Sequence, residues 1–522
     1  MNVKKNFFYY VVFIFSIIGI YLSLNVGISH DEYHDSLVWS TNKNIYQNYF
    51  FNKNLNTKFA DGGMGFYGIG FHIVSMPIEY LISFIFPKYD ITELGKLLVT
   101  KHASVFIFFI ISSIYFKKII YIITKNNFYS KISTLLFLTY PYLLGHSFFN
   151  IKDIPFMSVW LICTYYIIYI IKDLYKKNII KNKNILILSI LTAYLLSIRI
   201  SGILIFVEYL IFAIILFNIS NLHFTKFVKY FYKQIIFFTF LTLIIFYLLH
   251  PNYWKDPFKV IDAIQYMSQH IQTACTVTLG ECMKAQNLPS TYLPIWFFFK
   301  LPVIILLGLI LFPFVEKKIF NNKENILVIG SLLISVFFVI LILILFKVNL
   351  YDELRQVLFL IPLFFITSLT FLFFFSKKIS IGIITLFIIF FTIQNIKIYP
   401  YNYVWLNNFS SFTSVNKSFE LDYWGISSKK IAEYFNNNNV DLKNCIISNR
   451  NDGIEAFIQQ DKSCFISFKN LHKKNIRPFH VVLMERGKNK GLPNNCNSIH
   501  EEKININFSN EDLILARVFK CN

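Results

Sequence analysis

Acidic residues are scarce in this chain: 29 Asp and Glu stand against 50 Lys and Arg, and charged residues of both signs make up only 15% of 522 positions. So little charge excludes an ordinary soluble protein, because the 55% of residues that are hydrophobic could not be hidden around soluble cores. No CxxC pair occurs anywhere, which removes the common zinc frameworks. No internal repeat is visible, which counts against repeat-built transporters and flippases. No small-residue cleavage site follows the first apolar run, so residues 7–27 read as a retained helix rather than a signal peptide, with Lys4 and Lys5 on its inner side.

What the chain has instead is apolar blocks of roughly 17–22 residues, the length that crosses a hydrocarbon core about 30 Å thick. Mean hydropathy is +0.51. The net charge of +21 would suggest nucleic acid in a soluble domain. Here the excess is Lys in short turns between apolar blocks, at 117–131, 172–183, 226–233, 317–323 and 377–378. Placing those turns in the cytoplasm satisfies the positive-inside rule, and nucleic acid is not expected as a partner.

The spans then alternate near 7–27, 100–116, 132–146, 154–171, 185–198, 200–217, 234–249, 295–315, 326–346, 357–375 and 379–396, about eleven in all. The expectation is an all-α polytopic protein of a cell (inner) membrane. Its N-terminus is cytoplasmic and its C-terminus periplasmic or extracellular. Residues 66–86 are apolar enough to span, yet counting them inverts every later turn, and they contain Pro77 and Glu79. They read as a re-entrant or interfacial segment within a first external loop at 28–99. Residues 1–396 form the membrane module. The tail, 397–522, is the only sizeable soluble piece, and its short apolar runs suit a small external α/β domain. Six of seven cysteines (Cys275, Cys282, Cys445, Cys464, Cys496 and Cys521) fall in external segments, an even number that suits disulfides; only Cys163 lies in a span.

Chemistry concentrates at a few places. Ser29-His30-Asp31-Glu32-Tyr33-His34-Asp35 puts three carboxylates and two imidazoles at the mouth of the first span, where such groups are costly unless they face water or a ligand. His30 and His34 also have the spacing of a zinc pair, but Asp31 would replace the longer Glu and the motif sits at a span boundary, so a metallopeptidase is the weaker reading. Asn150-Ile151-Lys152-Asp153 precedes Pro155, which marks a helix N-terminus suited to an anion. Arg199 stands between two apolar blocks and needs a partner. Arg355 ends Tyr351-Asp352-Glu353-Leu354-Arg355 at another span mouth. Lys152, Arg199 and Arg355 are thus expected to converge on one phosphate-bearing ligand. His250-Pro251-Asn252-Tyr253-Trp254 reads as part of the interfacial aromatic belt.

An acidic pair just beyond the first helix, followed by a long loop and many spans, resembles the membrane glycosyltransferases of the GT-C fold. More narrowly, the chain is similar to bacterial proteins like the dolichyl-phosphate-mannose protein mannosyltransferases (glycosyltransferase family 39-like). The strings that carry the resemblance are residues 29–32, 145–156 (Gly-His-Ser-Phe-Phe-Asn-Ile-Lys-Asp-Ile-Pro-Phe), 351–355 and 421–425 (Leu-Asp-Tyr-Trp-Gly). The resemblance implies transfer of a sugar from a polyprenyl-phosphate donor to a lipid, glycan or protein hydroxyl on the outer face, with inversion. It implies Asp31 as the base and Glu32 assisting or positioning the acceptor. It places Lys152 and Arg355 on the donor phosphate with Arg199, and makes Asp153 and His146 substrate-binding. Metal dependence stays open at this point: a divalent ion, Mg or Mn, on Asp31, Asp35 and Asp153, or neutralisation by the cations alone.

Overall fold

The computed structural model describes residues 3–52, 62–85, 92–220, 223–269, 275–438, 440, 445–448, 451–459, 464–467, 479–484, 495–506 and 511–521. The side chains of Lys4 and Lys5 lie outside the described residues. Among the described residues eight helices are long and apolar enough to cross a membrane: Asn6–Ser23, Glu93–Thr124, Asp153–Lys177, Ile200–Ile219, Phe224–Leu248, Lys323–Leu345, Arg355–Phe375 and Lys377–Ile398. A ninth candidate is the pair Tyr292–Lys300 and Val303–Ile310, bent by 114°. The chain is a multi-pass helical membrane protein.

Prolines and lengths explain how this pattern differs from eleven uniform spans. Leu301 is extended because Pro302 follows it, and that breaks the expected span 295–315 into the bent pair. Tyr140, before Pro141, divides the expected 132–146 into Asn127–Thr139 and Pro141–Ser147 for the same reason. Asn182–Ile198 is a helix of 17 residues. The segment expected at 66–86 contains the helix Gly70–Ile85, whose 16 residues reach only about 24 Å, short of a hydrocarbon core. In contrast, the 32 residues of Glu93–Thr124 reach about 48 Å, so its first turns extend past the bundle and carry Lys101 and His102 toward the first loop.

That first loop is itself helical. His30–Gln47 starts at Ser29, whose backbone N–H donates to the Glu32 carboxylate at 2.6 Å, half of a capping box. Two acids in the first turn also suit the positive end of the helix dipole.

After Ile398 the chain does not leave the bundle at once. Tyr401, Tyr403, Trp405, Tyr423 and Trp424 are buried in the main core cluster with residues of the helices. The α/β unit follows, with helices Ser428–Asn437 and Asn451–Glu455 and a five-stranded sheet. In spatial order its strands are Phe465–Ser467, Ile446–Ser448, Phe479–Met484, Leu513–Cys521 and Cys496–Ile504, the first three mutually parallel and the rest antiparallel. All six cysteines expected outside are bridged, as Cys275–Cys282, Cys445–Cys464 and Cys496–Cys521, and Cys163 is free and buried. Ile431, Phe435, Ile454 and Phe457 of this unit pack on Leu24, Ile28, Ile82 and Leu98, so it is seated on the end of the bundle where the first helix ends.

Candidate active site

Five separate pieces of chain meet at that same end around a cavity of about 360 Å³. Helix His30–Gln47 supplies His30, Asp31 and His34. The turn before Gly70 supplies Tyr67 and Gly68. The start of Asp153–Lys177 supplies Lys152 and Asp153, the break after Ile198 supplies Arg199, and residues 348–359 supply Tyr351 and Arg355. Leu204, Met267, Leu343, Val348 and Phe359 add apolar lining.

Every charge expected at the site has a partner, and the partners are specific. Arg355 Nη1 donates to Asp31 Oδ2 at 2.9 Å, and its Nε lies 3.4 Å from Asp352 Oδ2. Its guanidinium is packed 4.5 Å from the Trp424 ring centre and 4.8 Å from that of Tyr351, two cation–π contacts. Lys152 Nζ pairs with Asp35, one turn along the helix from Asp31, and sits 4.3 Å over the Tyr67 ring. Arg199 Nη1 pairs with Asp153. Three cations thus meet four carboxylates around the cavity: Lys152 with Asp35, Arg199 with Asp153, and Arg355 with both Asp31 and Asp352. Burial alone pushes the Asp31 carboxyl up, but Arg355, Lys152 and His30 outweigh it and hold it well below the usual carboxylate range. Burial, with Tyr351, Asp31 and Asp35 nearby, pushes the Tyr67 phenol up, so it keeps its proton as a donor.

Local backbone explains the aim of these groups. Arg199 is an extended residue between two helices, which turns its side chain sideways from both axes. Asp352 and Glu353 both have left-handed backbone, φ 57° and 64°. Each such non-glycine residue costs roughly 1–2 kcal/mol, and together they reverse the chain just before Arg355. Gly68 is required by close approach: a side chain there would overlap the carbonyl oxygens of Ser197 and Ile198.

Neither Glu32 nor His146 lines the cavity, and Asp35 meets it only through its pair with Lys152. Glu32 is fully buried; besides capping its helix it is hydrogen-bonded with His102 Nε2 at 2.8 Å, and His102 Nδ1 lies 2.9 Å from the Ser23 carbonyl oxygen. It ties the first loop to two spans and does not reach the cavity walls. His146 is likewise buried, hydrogen-bonded to Asn150 Nδ2 at 3.0 Å and to Tyr423 at 3.4 Å. A third expectation changes as well: Asn150 Oδ1 accepts from the backbone of Lys152 and Asp153 at 3.3 and 2.9 Å, so those N–H groups are already engaged and no anion is needed to hold them. Asp153 orients Arg199, not Lys152.

A divalent ion does not fit the carboxylates as they stand. Asp31, Asp35 and Asp153 each face a different cation, and among the described residues no three His, Cys, Asp or Glu side chains are placed to hold a metal. His30 and His34 are also held apart in use, His30 3.9 Å from Asp452 of the α/β unit and His34 3.8 Å from Asp35.

No known family profile and no curated protein matches the chain. Solved structures are similar to it. Two of them are ArnT from Cupriavidus metallidurans bound to undecaprenyl phosphate, at 8% identity and TM-score 0.47, and the same protein in the apo state, at 9% and 0.48. Each comparison covers 99% of this chain and 98% of that one. Identity and TM-score at this level leave the chemistry to the side chains.

Sequence reasoning missed several of those. Tyr67, Tyr351 and Trp424 carry no charge, and nothing local marks aromatic residues of three distant segments as neighbours. Asp35, one of three oxygen ligands for a metal in the open alternative, is the partner of Lys152. Lys300 could have been found, since a lone Lys in an apolar run needs an acid. It is fully buried and pairs with Glu353 at 2.8 Å. Burial pushes the Glu353 carboxyl up to about 7, with Lys300 keeping it from rising further.

Proposed function

We propose that this protein is a membrane glycosyltransferase of the GT-C type that moves a sugar from a polyprenyl-phosphate donor to an acceptor hydroxyl on the extracytoplasmic face. The observation that carries the reading is the cavity in which Arg355, Lys152 and Arg199 stand beside Asp31, with apolar lining, at the ends of the spans. The donor phosphodiester brings one negative charge into a site where each of the three cations already faces a carboxylate. Three cations with unused N–H donors suit it, and they suit the doubly charged monoester that leaves still better. The apolar lining of Leu204, Leu343 and Phe359 is where a polyprenyl chain would lie.

In the transfer, the acceptor oxygen attacks the anomeric carbon from the face opposite the phosphate. The carbon–oxygen bond to phosphate breaks with its electron pair going to the phosphate, and the hydroxyl proton passes to Asp31. A carboxylate held by Arg355 is a weak base in the resting site. Donor binding supports its use, because Arg355 can turn N–H groups to the phosphate and so return basicity to Asp31. Oxocarbenium-like character in the transition state acidifies the attacking hydroxyl as well, which lowers the demand on the base. Glu32 acts at one remove, by holding the helix that presents Asp31.

The Lys-rich turns at 117–131, 172–183 and 317–323 and the three disulfides support an extracytoplasmic site, since consecutive antiparallel helices put them at opposite ends. The test is incubation of the purified protein in lipid with a panel of labelled polyprenyl-phosphate sugars. Release of polyprenyl phosphate from one of them, with label in a new product when acceptor is added, is the expected result. No consumption of any donor, with label instead carried across vesicle membranes, would make the protein a transporter.

A further inference from the structure

We propose that the disulfide-closed hairpin at 275–284 is a positioning element for Arg355. Its strands Cys275–Thr278 and Glu281–Lys284 pair antiparallel, and Cys275–Cys282 closes them. The hairpin lines no part of the cavity. Its Thr276 is nevertheless buried, and its hydroxyl oxygen accepts from the backbone N–H of Asp352 at 2.8 Å. Asp352 is the first of the two left-handed residues, so this bond clamps the strained reversal at its start. The end of the reversal is held from a different element: the Tyr292 hydroxyl donates to the Glu353 carbonyl at 3.3 Å, and Lys300 pairs with the Glu353 side chain.

The hairpin is itself anchored. Glu420 N donates to the Val277 carbonyl at 3.0 Å, and Val277 N donates to the Glu420 side chain at 3.2 Å. Trp296 Nε1 donates to Thr278 Oγ1 at 3.1 Å. The segment at 420 runs on to Trp424, whose ring packs against the Arg355 guanidinium. One covalently closed hairpin therefore holds both the backbone turn that aims Arg355 and the segment that brings the Trp424 ring to it. Without the clamp, a turn with two left-handed non-glycine residues relaxes toward ordinary backbone and Arg355 swings away from Asp31. That Arg355 binds a phosphate rests on the function proposed above; that the hairpin sets its position does not.

The experiment compares Thr276→Val, Thr276→Ser and the double variant Cys275→Ser/Cys282→Ser with the parent, full length in detergent. Hydrogen exchange is read at residues 351–355, and undecaprenyl phosphate is the binding probe. Thr276→Val and the double cysteine variant should speed exchange at 351–355 by about tenfold and weaken probe binding by about tenfold, the effect of one lost buried hydrogen bond. Thr276→Ser should restore both, and exchange in Leu513–Cys521 should be unchanged, which separates local release from unfolding. Unchanged exchange at 351–355 in Thr276→Val overturns the proposal. If the parent binds no undecaprenyl phosphate the function reading fails, and the exchange result still decides the role of the hairpin.

Discussion

Changing Asp31 to Asn separates catalysis from folding at one atom. The side chain keeps its shape, and its remaining carbonyl oxygen can still accept from Arg355, whose bond to Oδ2 is 2.9 Å. What is lost is the charge and the ability to take a proton. The stability cost is small: Asp31 is a third exposed to the cavity, so the pair is screened, and Arg355 retains Asp352 and its aromatic contacts. About 1 kcal/mol is expected, the upper end for a pair of that exposure. The catalytic cost is larger, because a positioned general base contributes typically 10²–10⁴-fold, which corresponds to about 3–5 kcal/mol in the barrier. Donor binding should hold or tighten, since Arg355 no longer has a carboxylate competing with the phosphate. The assay is single-turnover release of polyprenyl phosphate, with donor affinity and thermal unfolding in detergent measured on the same preparation. Turnover within tenfold of the parent would refute Asp31 as the base. A fall in turnover matched by an equal loss of donor binding would make Asp31 a structural partner of Arg355 instead.

Three further outcomes follow from the geometry. Glu32→Ala should cost about 2–4 kcal/mol of stability, from a lost helix cap and an imidazole left unpaired in the core, while turnover per correctly folded molecule stays near that of the parent; abolished turnover in a folded Glu32→Ala protein would return Glu32 to the chemistry. Glu353 rises from an ordinary 4.5 to about 7, so between those values the folded state binds more protons than the unfolded one, and stability contributed at this site falls as pH climbs from 4.5 to 7 and then levels. Thermal melts of the parent against Glu353→Gln across that window should show the slope in the parent alone. Gly68→Ala forces the 67–70 turn off the carbonyl oxygens of Ser197 and Ile198; overpacking of this kind costs about 1–3 kcal/mol, and because Tyr67 and Arg199 flank the contact, donor affinity should drop together with stability. A Gly68→Ala protein with parental affinity would show that this wall does not shape the site.

The sequence by itself determined the class of protein and where its charges had to lie. Hydrocarbon leaves no alternative to helices for long apolar blocks, so most span positions could be read within a few residues, although the helices Glu93–Thr124 and Phe224–Leu248 run 7 to 10 residues beyond the expected ends. Where a proline intervened, at Pro141 and Pro302, periodicity and length gave no measure of the break. Paucity of acids made residues 31–35 conspicuous, and lone Arg199 and Lys152 announced that partners existed. Cysteine parity anticipated the disulfides, and the short apolar runs of the tail anticipated the small α/β unit.

Only the tertiary structure decided which charge meets which. Asp31 and Glu32 are neighbours in sequence and equal in chemistry, yet a helix sends consecutive side chains about 100° apart. One therefore faces the cavity and Arg355, and the other faces His102 and the core. The same rule makes Asp35, one turn from Asp31, the partner of Lys152. Local sequence carries no signal that Thr276 in a distant hairpin holds the turn before Arg355, because that contact joins residues 76 positions apart and exists only in the folded chain. The acidic residues were visible from composition; their division of labour is a property of rotation about a helix and of long-range packing.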